Sequence, residues 1–421
     1  MRSFSENRSP VPSLCVQKLR VLCFGRFCDA EPGGIQSHVA SLLTALQDKV
    51  DFVNLVPSRD TRSARFSQGK VPVIRTASWN TDGSLALSPG LIRAAWQQHR
   101  ATPFDIVHLH LPDPMSHLAS FAIPASVPRI ITWHADIVRQ KNLLKLYQPW
   151  QNRLLRQAAA IIVATPEHLR SPVLSQAGIR EKVHVIPFGI DLSAFARPHP
   201  QTEALQEKYP GQRIFALGRH VSYKGFDILL TALSLLPTHL SDHVHLLLGG
   251  TGPLTPKLQQ QAAAKGITAR VHFPGKIPEA DLPAYYQASD LFCLPSRTQA
   301  EAFGIVQMEA MAAGKPVVNT RLGNGVNYVS QDGVTGLTVP PDDPQALATA
   351  LQTLLQDNAK RQQFGMNAQA RVKQEFSLEV MGERIEALYT AQLPPTPRPL
   401  SAPPDVGHVK PCPTYENRTI P

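Results

Sequence analysis

From residue 18 onward, short apolar runs alternate with stretches whose apolar positions recur at helical spacing. Residues 18–24 form a continuous apolar run of the kind that a strand covered on both faces requires. A Gly33-Gly34 loop follows, and then a helix with Ile35, Val39, Leu42, Leu43 and Leu46 on one face. Further strand-like runs lie at 52–56, 105–110, 129–133, 160–164 and 183–187. Alternating strand and helix predicts a parallel, doubly wound sheet. A polar, proline-containing stretch at 193–212 interrupts the pattern and reads as a linker. Strands then resume at 213–217, 244–248, 270–273, 290–294 and 316–319, with helices at 226–236, 305–313 and 344–355. The predicted fold class is α/β, with two Rossmann-like domains facing a cleft.

The expected boundaries follow. Residues 1–17 lack periodicity and are expected to be disordered. Residues 18–192 make the first domain, 193–212 the linker and 213–376 the second domain. Over 377–392, Ser377 is placed to cap a last helix carrying Met381, Ile385, Leu388 and Tyr389. From 393 to 421 the chain is crowded with proline (Pro394, Pro395, Pro397, Pro399, Pro403, Pro404) and is expected to be a disordered tail. The sequon Asn417-Arg418-Thr419 in that tail carries no weight in a cytoplasmic protein.

A length of 421 residues suffices for two full cores, and 43% hydrophobic with 18% charged residues is ordinary for a globular protein. No apolar run approaches the roughly 18–20 residues of a membrane span, and the N-terminus lacks an apolar signal core. A cytoplasmic location is expected. The five cysteines (15, 23, 28, 293 and 412) show neither a disulfide framework nor zinc-type spacing, and Cys23 reads as core. The net charge of +10 suits a phosphorylated substrate or an anionic membrane surface. Nucleic acid is disfavoured, because no recognition motif accompanies the charge.

Chemistry concentrates at Glu301-Ala-Phe-Gly-Ile-Val-Gln-Met-Glu309. Gly304 separates a loop bearing Glu301 from a helix bearing Glu309 two turns in, with Gly314 as the stop. The first amides, at Phe303, Gly304 and Ile305, then point toward the space between the carboxylates. Helix N-termini attract phosphate and carboxylates grip hydroxyls, so the arrangement suits a nucleotide-sugar. Upstream, Gly218-Arg219-His220-Val221-Ser222-Tyr223-Lys224-Gly225 ends the first strand of the second domain, where ligand crevices of such sheets lie. Arg219 offers a planar fork and Lys224 a mobile point charge, a pairing suited to a diphosphate.

In the first domain, Gly33 and Gly34 allow a close backbone approach to phosphate or sugar, but G-x-G-x-x-G is absent. His134 ends a strand, where it is placed to hydrogen-bond a sugar or assist proton movement. His108 and His110 share a strand face, yet lack a carboxylate at ligand spacing, so no metal is expected. There is no D-x-D for a metal-chelated diphosphate. The stretch 139–156 mixes Arg139, Lys141, Lys145, Arg153 and Arg156 with Leu, Tyr147 and Trp150. It reads equally as an interfacial segment on anionic lipid and as a core-packed helix with a solvated basic face.

From about residue 18 to 390, the ordered set of motifs resembles the retaining glycosyltransferases of glycosyltransferase family 4, which have the GT-B fold. The matching stretches are Pro32-Gly-Gly-Ile-Gln-Ser-His-Val, Thr132-Trp-His-Ala-Asp, Ile186-Pro-Phe-Gly-Ile-Asp191, Gly218-Arg219 to Lys224-Gly225, Gly250-Thr-Gly-Pro253, and Glu301 to Ala312. The resemblance implies hexose transfer from a nucleotide-sugar with retention at the anomeric carbon and no metal or other cofactor. It implies that Arg219 and Lys224 hold the donor diphosphate, Glu301 the sugar hydroxyls and Glu309 the ribose. Amides of Phe303, Gly304 and Ile305 would support sugar and phosphate. Backbone at Gly275, Lys276 and Ile277 would meet the base, and His134 the sugar near its reacting carbon. The Gly33-Gly34 loop would approach the diphosphate from the facing domain.

The flavour of the motifs is similar to bacterial mannosyl- or glucosyltransferases of surface polysaccharide assembly. That implies GDP-mannose as first donor and a UDP-hexose as second. It also implies a lipid-linked or saccharide acceptor and a peripheral position on the inner face of the plasma membrane. A GT-B-fold nucleotide-sugar 2-epimerase is the competing enzyme class. Front-face and covalent routes both remain open, the absence of a clearly placed nucleophilic carboxylate favouring the first.

Overall fold

The computed structural model describes residues 18–25, 34–58, 61–79, 87–134 and 141–393, with backbone alone at 34 and 141–146. Gly33, the segment 1–17 and the proline-rich tail from 394 lie outside the described residues. Eight strands form the first sheet: β1 (Leu19–Phe24), β2 (Val50–Pro57), β3 (Ala64–Gln68), β4 (Val71–Thr76), β5 (Ile106–Leu111), β6 (Arg129–Trp133), β7 (Ala160–Val163) and β8 (Val183–Val185). Their order is β3-β4-β2-β1-β5-β6-β7-β8, parallel throughout except at the β3–β4 hairpin. Six parallel strands form the second: β9 (Gln212–Leu217), β10 (Val244–Gly249), β11 (Val271–Gly275), β12 (Leu291–Leu294), β13 (Val317–Thr320) and β14 (Gly336–Val339), ordered β11-β10-β9-β12-β13-β14.

Each sheet is covered on both faces, which is why its central strands are apolar without alternation. One face of the first sheet packs Leu22, Phe24, Leu109 and Trp133 with the helix Pro89–Ala101. The other packs Val21, Cys23, Ile106 and Ile130 with Leu42, Leu43 and Leu46 of the helix Gly34–Leu46. That second face is completed from far along the chain. Met381, Ile385, Leu388 and Tyr389 of the last helix, Leu378–Ala391, belong to the same cluster. Ser377 caps this helix, its Oγ accepting from Val380 N at 3.2 Å.

Strand order reverses between β1 and β5 in the first sheet and between β9 and β12 in the second. At such switch points the loops leaving the carboxyl ends diverge and open a crevice. The chain crosses between domains twice, side by side. Ile190 N donates to Phe376 O at 2.9 Å, and Leu378 N donates to Ile190 O at 3.1 Å.

Several elements differ from the sequence expectation. The stretch read as a linker, 193–212, is helical at Ser193–Ala196 and Gln201–Lys208, and its end is already β9. It is tied to the second domain through Gln287, whose Oε1 accepts from His199 N at 2.9 Å and from Thr202 Oγ1 at 3.1 Å. The edge hairpin β3–β4, the short strand β14 and the helix Asn358–Glu375 were not anticipated. That helix buries only Phe364, Gly365, Ala368 and Val372, too narrow an apolar stripe to stand out in sequence.

Candidate active site

The switch point of the second sheet brings two loops together. The first leaves β9 at Gly218, makes a short 3₁₀ turn over Ser222–Lys224 and enters the helix Phe226–Ser234 through Gly225. Gly225 sits at φ 68°, and a Cβ there would lie 2.0 Å from the Pro295 carbonyl oxygen of the loop after β12. Only glycine lets the two backbones approach this closely. The consequence is a contact between residues 77 apart in sequence: Lys224 Nζ donates to Glu301 Oε2 at 2.5 Å. Both side chains are about nine-tenths buried, at 10% and 11% exposure, so the pair is largely desolvated.

Glu301 is held from several sides. Ser296 Oγ donates to the same Oε2 at 3.1 Å, and Asn324 Nδ2 donates to the Glu301 carbonyl at 2.7 Å. Among the described residues no donor meets Oε1. One carboxylate oxygen is thus fixed and the other is left to accept from a ligand. Lys224 has three N–H donors and uses one on Glu301, which leaves two for an anion. Arg219 is exposed and makes no salt bridge among the described residues. Arg297 braces the loop from outside, donating from Nη2 to Asp227 at 2.6 Å and from Nε to Asp342.

The helix Ile305–Ala312 starts at Gly304, which takes φ 69° and turns the chain from loop to helix, and Gly314 follows its end at φ 70°. Glu309 lies on this helix, and its Oε2 accepts from the phenol of the fully buried Tyr286 at 2.6 Å. Burial lifts the Glu309 carboxyl above its ordinary range, while the Tyr286 hydrogen bond opposes that rise. Gly275 ends β11 at φ 76°, with its α-carbon facing open space, next to exposed Lys276 and buried Ile277.

Across the cleft, the ends of β5 and β6 and the helix Gly34–Leu46 bring His110, His134 and His38 together. His110 Nδ1 and His134 Nε2 lie 3.1 Å apart, and the His38 ring centroid is 5.3 Å from that of His134. His108 stacks on His110 and is bonded to Tyr389 Oη (2.6 Å) and Thr132 Oγ1 (2.8 Å). Burial pulls His38 and His108 down from 6.5 to about 3, and His110 well below its ordinary value. The imidazoles of His38, His108 and His110 are therefore neutral at pH 7. The cluster reaches the second domain through Phe188, whose ring lies 4.2 Å from His38 and 5.0 Å from Phe303, two residues from Glu301.

Residues singled out from sequence thus lie at strand ends of both domains, with the Phe188 ring between His134 and Phe303. Lys224, Glu301, Phe303, Gly304, Ile305 and Glu309 are on one side, and His134 is on the other. Gly34 is the first residue of its helix. Sequence reasoning missed Ser296, Asn324 and Tyr286, which hold the two glutamates, and His38. Ser296 had a signal, since it lies in the loop two residues past β12 and five before Glu301. His38 had a weaker one, one turn into the helix that the glycine pair opens.

Comparison with known proteins shows the family and the fold. The family described as Glycosyl transferases group 1 matches residues 201–371, and Glycosyltransferase Family 4 matches residues 32–194. The chain is 36% identical over 294 residues to the D-rhamnosyltransferase WbpZ of Pseudomonas aeruginosa, covering 69% of this chain and 75% of that protein. It is 30% identical over 292 residues to the O-antigen chain mannosyltransferase C of Escherichia coli, covering 69% and 76%. Among solved structures, sucrose-phosphate synthase from Thermosynechococcus elongatus superposes with a TM-score of 0.70 at 22% identity, covering 89% of this chain and 99% of that one. This chain belongs to the GT-B glycosyltransferases of the group 1 type.

Proposed function

We propose that the protein is a retaining mannosyltransferase that moves mannose from GDP-mannose to a lipid-linked or saccharide acceptor. The observation that carries this reading is the buried Lys224–Glu301 pair at the switch point, with one carboxylate oxygen and two ammonium donors still available. Arg219 and Lys224 hold the donor diphosphate. As the anomeric C1–O bond breaks, its electron pair goes to the departing diphosphate, and these cations stabilise the charge that develops. Glu301 Oε1 accepts from hydroxyls of the transferred sugar, and Glu309 from the ribose. Phe303, Gly304 and Ile305 amides support sugar and phosphate, and the backbone at 275–277 borders the base. His134 faces the sugar, and the acceptor hydroxyl attacks from the side the diphosphate leaves, its proton passing to the departing phosphate oxygen. No metal takes part in these steps.

Two named relatives support the donor class. One is a mannosyltransferase and the other a D-rhamnosyltransferase, and D-rhamnose is mannose without its 6-hydroxyl. GDP-linked D-rhamnose is accordingly the second donor to test. A membrane-bound acceptor is supported by the helix Lys141–Gln157, which buries Gln151, Leu154 and Leu155 and exposes Trp150, Arg153 and Arg156. That face places an aromatic anchor beside basic charge, as peripheral binding to anionic lipid requires.

The deciding experiment supplies GDP-mannose, GDP-D-rhamnose or UDP-glucose with lipid-linked acceptor in anionic vesicles, and follows nucleotide release and product anomer. GDP-mannose should be consumed with retention, and Glu301→Ala should slow turnover by about 10²–10³-fold. An inverted product, an idle GDP-mannose reaction, or an unimpaired Glu301→Ala enzyme would each overturn the corresponding part of the reading.

A further inference from the structure

We propose that His38, His110 and His134 form a three-imidazole binding site for a divalent transition-metal ion of the zinc class. Nitrogens of the three rings all lie within 4.8 Å of one another, and all three residues are buried. They come from a helix and from the ends of two neighbouring strands, so the fold rather than a local sequence motif assembles them. The second observation concerns His38 itself. It is 3% exposed, and among the described residues neither of its buried ring nitrogens has a hydrogen-bond partner. A buried polar group left unsatisfied costs about 1–3 kcal/mol, and two on one ring call for an occupant.

The geometry suits an ion. Zinc–nitrogen bonds of 2.0–2.1 Å at a tetrahedral centre separate neighbouring ligand nitrogens by about 3.3 Å. His110 Nδ1 and His134 Nε2 already stand 3.1 Å apart. His38 must close by at most about 1.5 Å, the difference between the 4.8 Å bound and that spacing, which a modest ring rotation supplies. One proton lies between His110 and His134 in the metal-free form. On binding it moves to the other nitrogen of its own ring, and each imidazole stays neutral. If the proton is on His110, its new seat is Nε2, which faces Cys23 Sγ at 3.7 Å. Three protein ligands leave a fourth position open, as in zinc sites that exchange a water or an external group.

Such an ion would occupy His134. On the reading above, where His134 faces the transferred sugar, the metal opposes donor binding and acts as an inhibitor. That consequence rests on the proposed function, whereas the binding itself does not.

The test titrates chelator-treated, full-length protein with cobalt(II) and then with zinc against a chromophoric chelator. One equivalent of cobalt should give the intense visible bands of a four-coordinate site, displaced by zinc. X-ray absorption of the zinc form should show three imidazole nitrogens at about 2.0–2.1 Å. His38→Ala should weaken binding by more than the ~10–100-fold that loss of an outer-shell partner costs. The exposed His239→Ala should leave binding unchanged. Absence of a cobalt signal, fewer than three imidazoles in the wild-type absorption data, or unchanged affinity in a folded His38→Ala protein overturns the site. A water molecule between the rings would satisfy His38 yet give no cobalt bands. Binding of one zinc without inhibition of transfer leaves the site standing and removes His134 from the sugar, which separates this proposal from the reading it draws on.

Discussion

Acidification should unfold this protein through its histidine cluster before its carboxylates titrate. Burial holds His38 and His108 near about 3 in the native state, against 6.5 when exposed. A group whose native pKa is depressed contributes stability that is fully present above the unfolded pKa. That stability is lost as pH falls from 6.5 toward 3, because the unfolded chain takes up the proton and the native one does not. At pH 5 an unfolded histidine is almost fully protonated and the native ring almost fully neutral. Each residue then removes about 2 kcal/mol relative to pH 7.5, and the pair about 4 kcal/mol. Against a typical total of 5–15 kcal/mol that is a large fraction. The assay is urea unfolding at pH 7.5, 6.5, 5.5 and 5.0 in the presence of a chelator, for wild type and His38→Asn. Other depressed histidines steepen both curves, and because burial is the larger cause of the shifts of His108 and His110, the difference between the curves mainly reports His38. The variant's stability should fall by about 2 kcal/mol less across this range. Parallel curves would refute the claim that His38 is buried neutral, and a flat wild-type curve would refute the whole linkage.

Tyr286→Phe removes a hydrogen bond to the Glu309 carboxylate worth about 1.5–3 kcal/mol, so the donor KM should rise about tenfold or more with kcat little changed. An unchanged KM would detach Glu309 from the ribose. Gly225→Ala should lower stability by about 3 kcal/mol or more, since left-handed strain adds to a clash with backbone. Gly178→Ala is the control for that substitution. Gly178 shares a positive φ of 76° but has nothing within 4 Å of the added Cβ, so it should lose about 1 kcal/mol in the same melt.

What the sequence disclosed follows from where the signal is local. The central strands announced themselves because both of their faces are buried, and the helix after Gly304 because a glycine at positive φ and a glycine stop bracket it. The hairpin β3–β4 was hidden because it is an edge element with Pro72 in its second strand and an exposed first strand. The short helices of 193–212 were hidden by a composition that reads as linker, although tertiary bonds to Gln287 fix their place. In the site, Lys224 and Glu301 stood out by residue type and by their place at strand ends. Their direct pairing did not, because it depends on the Gly225–Pro295 approach. The β5 alternation placed His108 and His110 on one face. The ring that joins His110 and His134, His38, comes instead from another element more than 70 residues away, a distance that no spacing rule spans.

The last helix also sets a schedule for the nascent chain. The first domain lacks Met381, Ile385, Leu388 and Tyr389 until the helix Leu378–Ala391 has been made, and these side chains cover one face of its sheet. Some 200 residues separate the end of that domain from the helix that closes it. At the usual ~5–20 residues per second, the ribosome holds the incomplete sheet for about 10–40 s. During that interval Val39, Leu42, Leu43 and Leu46 lie on an open apolar face, so the second domain is free to finish folding before the first. A chaperone that shields this face should therefore engage the growing chain early and let go only once the helix Leu378–Ala391 has emerged.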